Sequence, residues 1–154
     1  MKLISTHGAG ELYEKNNFLI PVLKGSQFEM GEQYGTMMLD HMETAYKVLV
    51  QPAITQGALD DKSIGEWTQR MYSTASMRYR QFYDGVVEGT GWPLKKVAML
   101  DNLMEFSIFE AATMNSFAGC TSIMSWGESS KDGNMYIGRN EDWSESFTQF
   151  PQVL

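Results

Sequence analysis

Residues 119 to 143 read Gly-Cys-Thr-Ser-Ile-Met-Ser-Trp-Gly-Glu-Ser-Ser-Lys-Asp-Gly-Asn-Met-Tyr-Ile-Gly-Arg-Asn-Glu-Asp-Trp. Side chains from Ile123 to Trp126 alternate as a strand requires, and Asp132-Gly133 supplies a turn with the positive φ that hairpins need. Met135-Tyr136-Ile137 then runs back. The spacing predicts a β-hairpin that begins at Cys120. An isolated hairpin is marginal, and a sheet needs more strands and a second layer, so residues 120 to 154 read as the start of a domain. The final residues, Phe150-Pro151-Gln152-Val153-Leu154, read as the entry into another element, and the chain reads as truncated.

Upstream the period is helical. Ser26 and Glu29 have the spacing of a capping box, and Met30, Tyr34, Met38, Met42, Ala45 and Leu49 recur every three or four residues, predicting a helix to about Val50. Gly31 and Gly35 form a neighbouring stripe that lets another backbone come close. A looser segment from Gln51 to Asp61 precedes a second helical pattern carrying Trp67, Met71, Thr74, Tyr79, Phe82 and Val86, which ends near Gly89. Pro93 suits the first turn of a third helix, with Val97, Leu100, Leu103 or Met104, and Ile108 on its buried stripe. Before all of these comes a polar start, then a short strand over Phe18–Leu23 in which Pro21 favours an edge position. Ala111 to Gly119 reads as an accessible connector. Residues 1 to 119 are therefore read as a mainly helical segment, and the fold class as α+β.

Composition narrows the function. A net charge of -7 over 154 residues, with no basic cluster longer than Lys95-Lys96, argues against a nucleic-acid partner. No run approaches the length of a membrane span, and the N-terminus is too polar for the apolar core of a secretory signal. The single cysteine excludes an intramolecular disulfide, and neither His7 nor His41 is flanked by other ligands at metal-binding spacing, so no metal is expected. The 12 methionines read as adaptable core packing, and Trp67 and Trp92 as packing anchors. A lone cysteine is usually an inert small hydrophobe, so Cys120 draws its interest from its neighbours.

Those neighbours, Gly119-Cys120-Thr121-Ser122-Ile123 followed by Gly138-Arg139-Asn140-Glu141-Asp142-Trp143, resemble the acyl-CoA:6-aminopenicillanic acid acyltransferase family of N-terminal-nucleophile (Ntn) hydrolases. There is kinship to choloylglycine hydrolases and acid ceramidase-like amidases. The glycine-punctuated helix from Gly25 to Gly35, and the blocks Asp84-Gly85-Val86 and Leu100-Asp101-Asn102, extend the resemblance over most of residues 21 to 143. It implies an αββα sandwich, of which residues 1 to 119 form the prosegment or α-subunit and residues 120 to 154 the first catalytic strands. It also implies self-cleavage between Gly119 and Cys120, with Asp142 orienting the new α-amino group and Arg139 steadying the cysteine. Asn140 is a weaker substrate-site candidate, because strand alternation turns it to the other face, and Trp143 is near enough in sequence to touch substrate.

The chemistry is consistent with that pattern. Cleavage would give Cys120 an α-amino group with a reference pKa of about 7.7 to 8.0, able to take the proton of a thiol whose reference value is about 8.5. The thiolate can then attack an amide carbonyl and form an acyl-enzyme, without metal or organic cofactor. The expected partners are a small-molecule acyl amide substrate and the chain's own remaining β-subunit, with homo-oligomer formation left open. Two other readings stand beside this one: a non-catalytic helical interaction module in which Cys120 is a passenger, and a lipid or ester acyl hydrolase of the same fold. Arg139 and Asp142 could instead form an exposed ion pair of little energetic weight, but their register with Cys120 favours the functional reading.

Overall fold

Three short strands precede the first helix. The computed structural model of the protein describes residues 1–57, 60–103, 121–140 and 152–153. Of these, residues 1–57, 60–103 and 152–153 belong to one compact unit and residues 121–140 to a second. The described elements are α+β, with antiparallel pairing dominant.

In the first unit, β1 (Lys2–His7), β2 (Gly10–Lys15) and β3 (Phe18–Val22) pair antiparallel in chain order, and β6 (Gln152–Val153) adds parallel to Phe18 and Leu19. The residues read as a polar start thus form a hairpin. Asn16 and Asn17 join β2 to β3 with φ of 52° and 65°, the two successive positive values of a tight hairpin turn. The strands escape the sequence pattern because Leu12 is the one large apolar side chain that β2 buries fully. Pro21 lies past the two residues that β6 covers, so its missing N–H costs the β3–β6 ladder nothing.

Helix α1 (Gln27–Ala45) starts with the expected capping box: the Glu29 amide donates to Ser26 Oγ at 3.3 Å, and the Ser26 amide donates to Glu29 Oε2 at 2.7 Å. Its buried Met38 and Met42 join Leu12 and Leu19 of the sheet and Tyr83, Val86, Trp92, Val97 and Ala98 of later elements in one core. The helix does not loosen at Gln51. It passes through a π turn (Tyr46–Val50), where the Gln51 amide reaches back to the Tyr46 carbonyl, into α2 (Gln51–Thr55). Pro52 sits in the first turn of α2, so the widened turn and the proline together keep the chain helical where a loop is expected from Pro52.

The second helical pattern divides in two. Helix α3 (Asp61–Thr74) is capped by Asp60, whose carboxylate accepts from the Lys62 and Ser63 amides at 3.0 Å. Ala75 and Ser76 turn extended, and Ser76 caps α4 (Met77–Thr90) by accepting from the Tyr79 amide. Gly91, at φ 66°, closes α4 in the left-handed conformation. Pro93 then precedes α5 (Leu94–Asp101) as its cap. The expected continuation through Met104 and Ile108, and the connector from Ala111 to Gly119, lie outside the described residues.

Helices α1 and α4 meet through glycine on both sides. A Cβ on Gly31 would lie 2.1 Å from the Phe82 carbonyl oxygen, and one on Gly85 would lie 2.0 Å from that of Phe28. Gly35 and Gly89 repeat the pattern one turn on, against Val86 and Glu32. The stripe expected from Gly31 and Gly35 therefore has a matching stripe on its partner.

Gln33, buried on α1, ties the helix to the segment that enters it. Its Oε1 accepts from the Lys24 amide at 3.0 Å and its Nε2 donates to the Lys24 carbonyl at 2.8 Å. Gln33→Leu would keep the volume and orphan both backbone groups, so a loss of about 2 kcal/mol is expected in chemical denaturation. A loss below a few tenths of that would mean water replaces the clamp.

Candidate functional site

The second unit holds the hairpin on which the sequence-derived site was placed. Strand β4 (Thr121–Gly127) and strand β5 (Gly133–Asn140) pair antiparallel, with Thr121 opposite Asn140, Ser122 opposite Arg139, and Met124 opposite Ile137. The expected turn is present: Gly133 has φ of 75°. Asp132 fastens it, accepting from the Asn134 amide at 3.1 Å, from Asn134 Nδ2 at 2.8 Å and from the Tyr136 hydroxyl at 2.7 Å. These bonds, that of Tyr136 first, hold the Asp132 carboxyl below its ordinary value and push the Tyr136 phenol up.

Because the folded-state value is depressed, the carboxylate's contribution to the turn is complete above the ordinary aspartate range and fades as pH falls through the lowered value. The Asn134 amide resonance should therefore keep its hydrogen-bonded shift through pH 3.8, the unperturbed aspartate value, and lose it only further down. A midpoint at or above the unperturbed value would refute the arrangement.

Of the residues singled out in the sequence, Gly119, Cys120, Asp142 and Trp143 lie outside the described residues. Arg139 and Asn140 are the last two positions of β5, and the backbone pairing sets them opposite the second and first residues of β4. Apolar side chains of the hairpin, Ile123, Met124 and Trp126 on one strand and Met135, Tyr136 and Ile137 on the other, are exposed. Alternation distributes them over both faces of the ribbon. His41 is exposed on α1, and the His7 ring faces Glu32 at 3.5 Å. Trp92 is buried as expected of a packing anchor, with Lys96 Nζ 3.5 Å above its ring.

The first unit contains a cleft that the sequence reading missed. It has a volume of about 300 Å³ and lies where α1, α4 and α5 converge. Met42, Val86 and Val97 are its buried floor, and Tyr34, Phe82 and Leu100 are its walls. The exposed Tyr79 and Asp101 and the buried Tyr83 complete its lining. The Tyr83 hydroxyl donates to Asp101 Oδ2 and accepts from Asn102 Nδ2 at 3.2 Å, while the Tyr79 hydroxyl lies 3.4 Å from the same carboxylate oxygen.

Burial first, and the bond to Asp101 second, push the Tyr83 phenol far above its ordinary value. Tyr34 is raised too, by burial and then by the charge of Asp101. Both rings thus stay neutral hydrogen-bond donors across the physiological range. The residues of this cluster come from Tyr34 to Asn102 in the chain, and spacing along a sequence carries no record of such a convergence. In comparisons with known proteins, the chain matches no family model, no curated protein and no solved structure.

Proposed function

We propose that the protein is a self-processing cysteine amidohydrolase or N-acyltransferase of the Ntn type, with Cys120 as nucleophile. The observation that carries this reading is the hairpin register. Ser122 pairs with Arg139 and Thr121 with Asn140, so the return strand brings these two residues of the Arg-Asn-Glu-Asp segment back to the first positions of β4. The 17 positions that separate Ser122 from Arg139 in sequence become a pairing of adjacent strands, an arrangement that a nucleophile just before β4 and its supporting groups would use. The exposed apolar side chains on both faces of the hairpin support the same reading, because an inner strand pair of a layered sandwich has a layer on each side.

In this mechanism the Cys120 thiol attacks the Gly119 carbonyl carbon, the carbon–nitrogen bond breaks, and the residue's own nitrogen leaves as an amine. Water then hydrolyses the thioester, which frees residue 119 as a carboxylate and Cys120 as a new N-terminus. In the processed protein the α-amine takes the thiol proton and the thiolate attacks the substrate amide, releasing an amine and leaving an acyl-enzyme for water or a second amine. Asp142 orients the α-amino group, Arg139 steadies the sulfur, and Asn140 and Trp143 border the substrate. Metal and organic cofactors have no step to perform. The prosegment, residues 1 to 119, remains bound after cleavage.

Intact mass measurement with N-terminal labelling tests the reading on the purified full-length protein. Two polypeptides are expected, the second beginning at Cys120. An uncut chain that hydrolyses acyl esters or amides unaided would overturn the self-processing mechanism.

A further inference from the structure

We propose that the cleft between α1, α4 and α5 binds a small organic cation, an ammonium group carried on an apolar body, with Asp101 as its counter-charge. The reading is independent of the hairpin chemistry and rests on the first unit alone. Three observations carry it. The floor and walls are apolar, closed by Met42, Val86 and Val97, and the volume of about 300 Å³ is that of a small-molecule site.

The upper part is aromatic: the Tyr79 and Tyr83 rings lie 5.1 Å apart at 44°, and Tyr34 and Phe82 lie 6.1 Å apart at 49°. A cation that settles over the face of any of these lining rings is attracted by the ring quadrupole. The third observation is the charge of Asp101. Among the described residues, Asp101 receives hydrogen bonds from Tyr83, Tyr79 and Asn102 but no ion pair with Lys or Arg. Those donors fix the carboxylate's orientation and leave its charge without a Lys or Arg partner among the described residues. A neutral apolar ligand would use the floor alone, and an anion would meet Asp101; only a cation with an apolar body uses every part of the cleft. The net charge of -7 favours its approach as well.

The test is a nuclear magnetic resonance titration of the protein with three probes of one shape: benzylammonium, benzyltrimethylammonium and benzyl alcohol. Both cations should shift the Val86, Val97 and Leu100 methyl resonances saturably, with a Kd on the order of 1 mM or tighter. Benzyl alcohol should bind about tenfold more weakly, the margin expected of a cation over aromatic faces beside a carboxylate. Asp101→Asn, which still accepts the tyrosine hydrogen bonds, should cut that preference several-fold, leaving only the part due to the aromatic rings.

Equal binding of alcohol and amines by the unaltered protein would overturn the proposal, and that comparison needs no variant to fold. A preference that is undiminished in Asp101→Asn would overturn it too. So would the absence of any probe effect; methyl shifts that instead follow protein concentration would assign the cleft to a second copy of the chain.

Discussion

Under the proposed mechanism, Cys120→Ala is expected to leave the bond between residues 119 and 120 whole and to abolish acyl transfer. The substitution deletes the only sulfur nucleophile in the chain and leaves the hairpin's other residues in place. The Thr121 and Ser122 hydroxyls do not replace it, because attack by either on its own preceding carbonyl would break a different peptide bond. Loss of a covalent nucleophile typically costs roughly ten-thousandfold or more in turnover, so the variant should be silent in any ordinary assay. Cys120→Ser is the informative companion: it should cleave slowly, since a hydroxyl is a poorer nucleophile than a thiol, which ionises far more readily. Mass spectra of both variants beside the unaltered protein decide the matter. An alanine variant that is cut at the same bond, or that turns over normally, would remove Cys120 from the mechanism.

The second large effect is structural. Gly85→Ala should destabilise the first unit by roughly 3 kcal/mol or more, the upper end of what overpacking costs. The new methyl would lie 2.0 Å from the Phe28 carbonyl oxygen and 2.7 Å from the Glu32 amide nitrogen, and both are backbone atoms that cannot rotate away. Helix propensity opposes this by at most about 1 kcal/mol, so the clash wins. Gly65 supplies the contrast. It sits in α3 with open space where a Cβ would go, so Gly65→Ala should raise stability by up to about 1 kcal/mol. Thermal melts of the two variants should move in opposite directions. A Gly85→Ala melt at or above that of the unaltered protein would mean the helices can part without loss.

Much of the helical framework could be read from local signals. The Ser26 and Glu29 pair names the start of α1, the three-and-four spacing names its buried face, and Gly31 and Gly35 announce a close neighbour. Asp132-Gly133 likewise marks the β4–β5 turn. What stayed hidden depends on context. The Asn16-Asn17 turn adopts positive φ without glycine, so β1 and β2 passed as a polar start. Apolar periodicity runs straight across Ala75 and Ser76, where a serine cap and extended backbone divide one expected helix into two. The π turn absorbs Pro52, which sequence rules read as a stop. For the candidate site, strand pairing made the return of Arg139 toward β4 predictable, whereas the cluster of Tyr83, Asp101 and Asn102 needs the packed helices to exist.

The reciprocal glycines of α1 and α4 also have a mechanical meaning. Helices that touch through long side chains can creep past one another as rotamers adjust. Here carbonyl oxygens sit in notches one hydrogen atom deep, and a slip of one residue, about 1.5 Å along the axis, would drive them into the next side chain. The pair therefore has a single tooth position, and any motion transmitted through it must carry both helices as one lever.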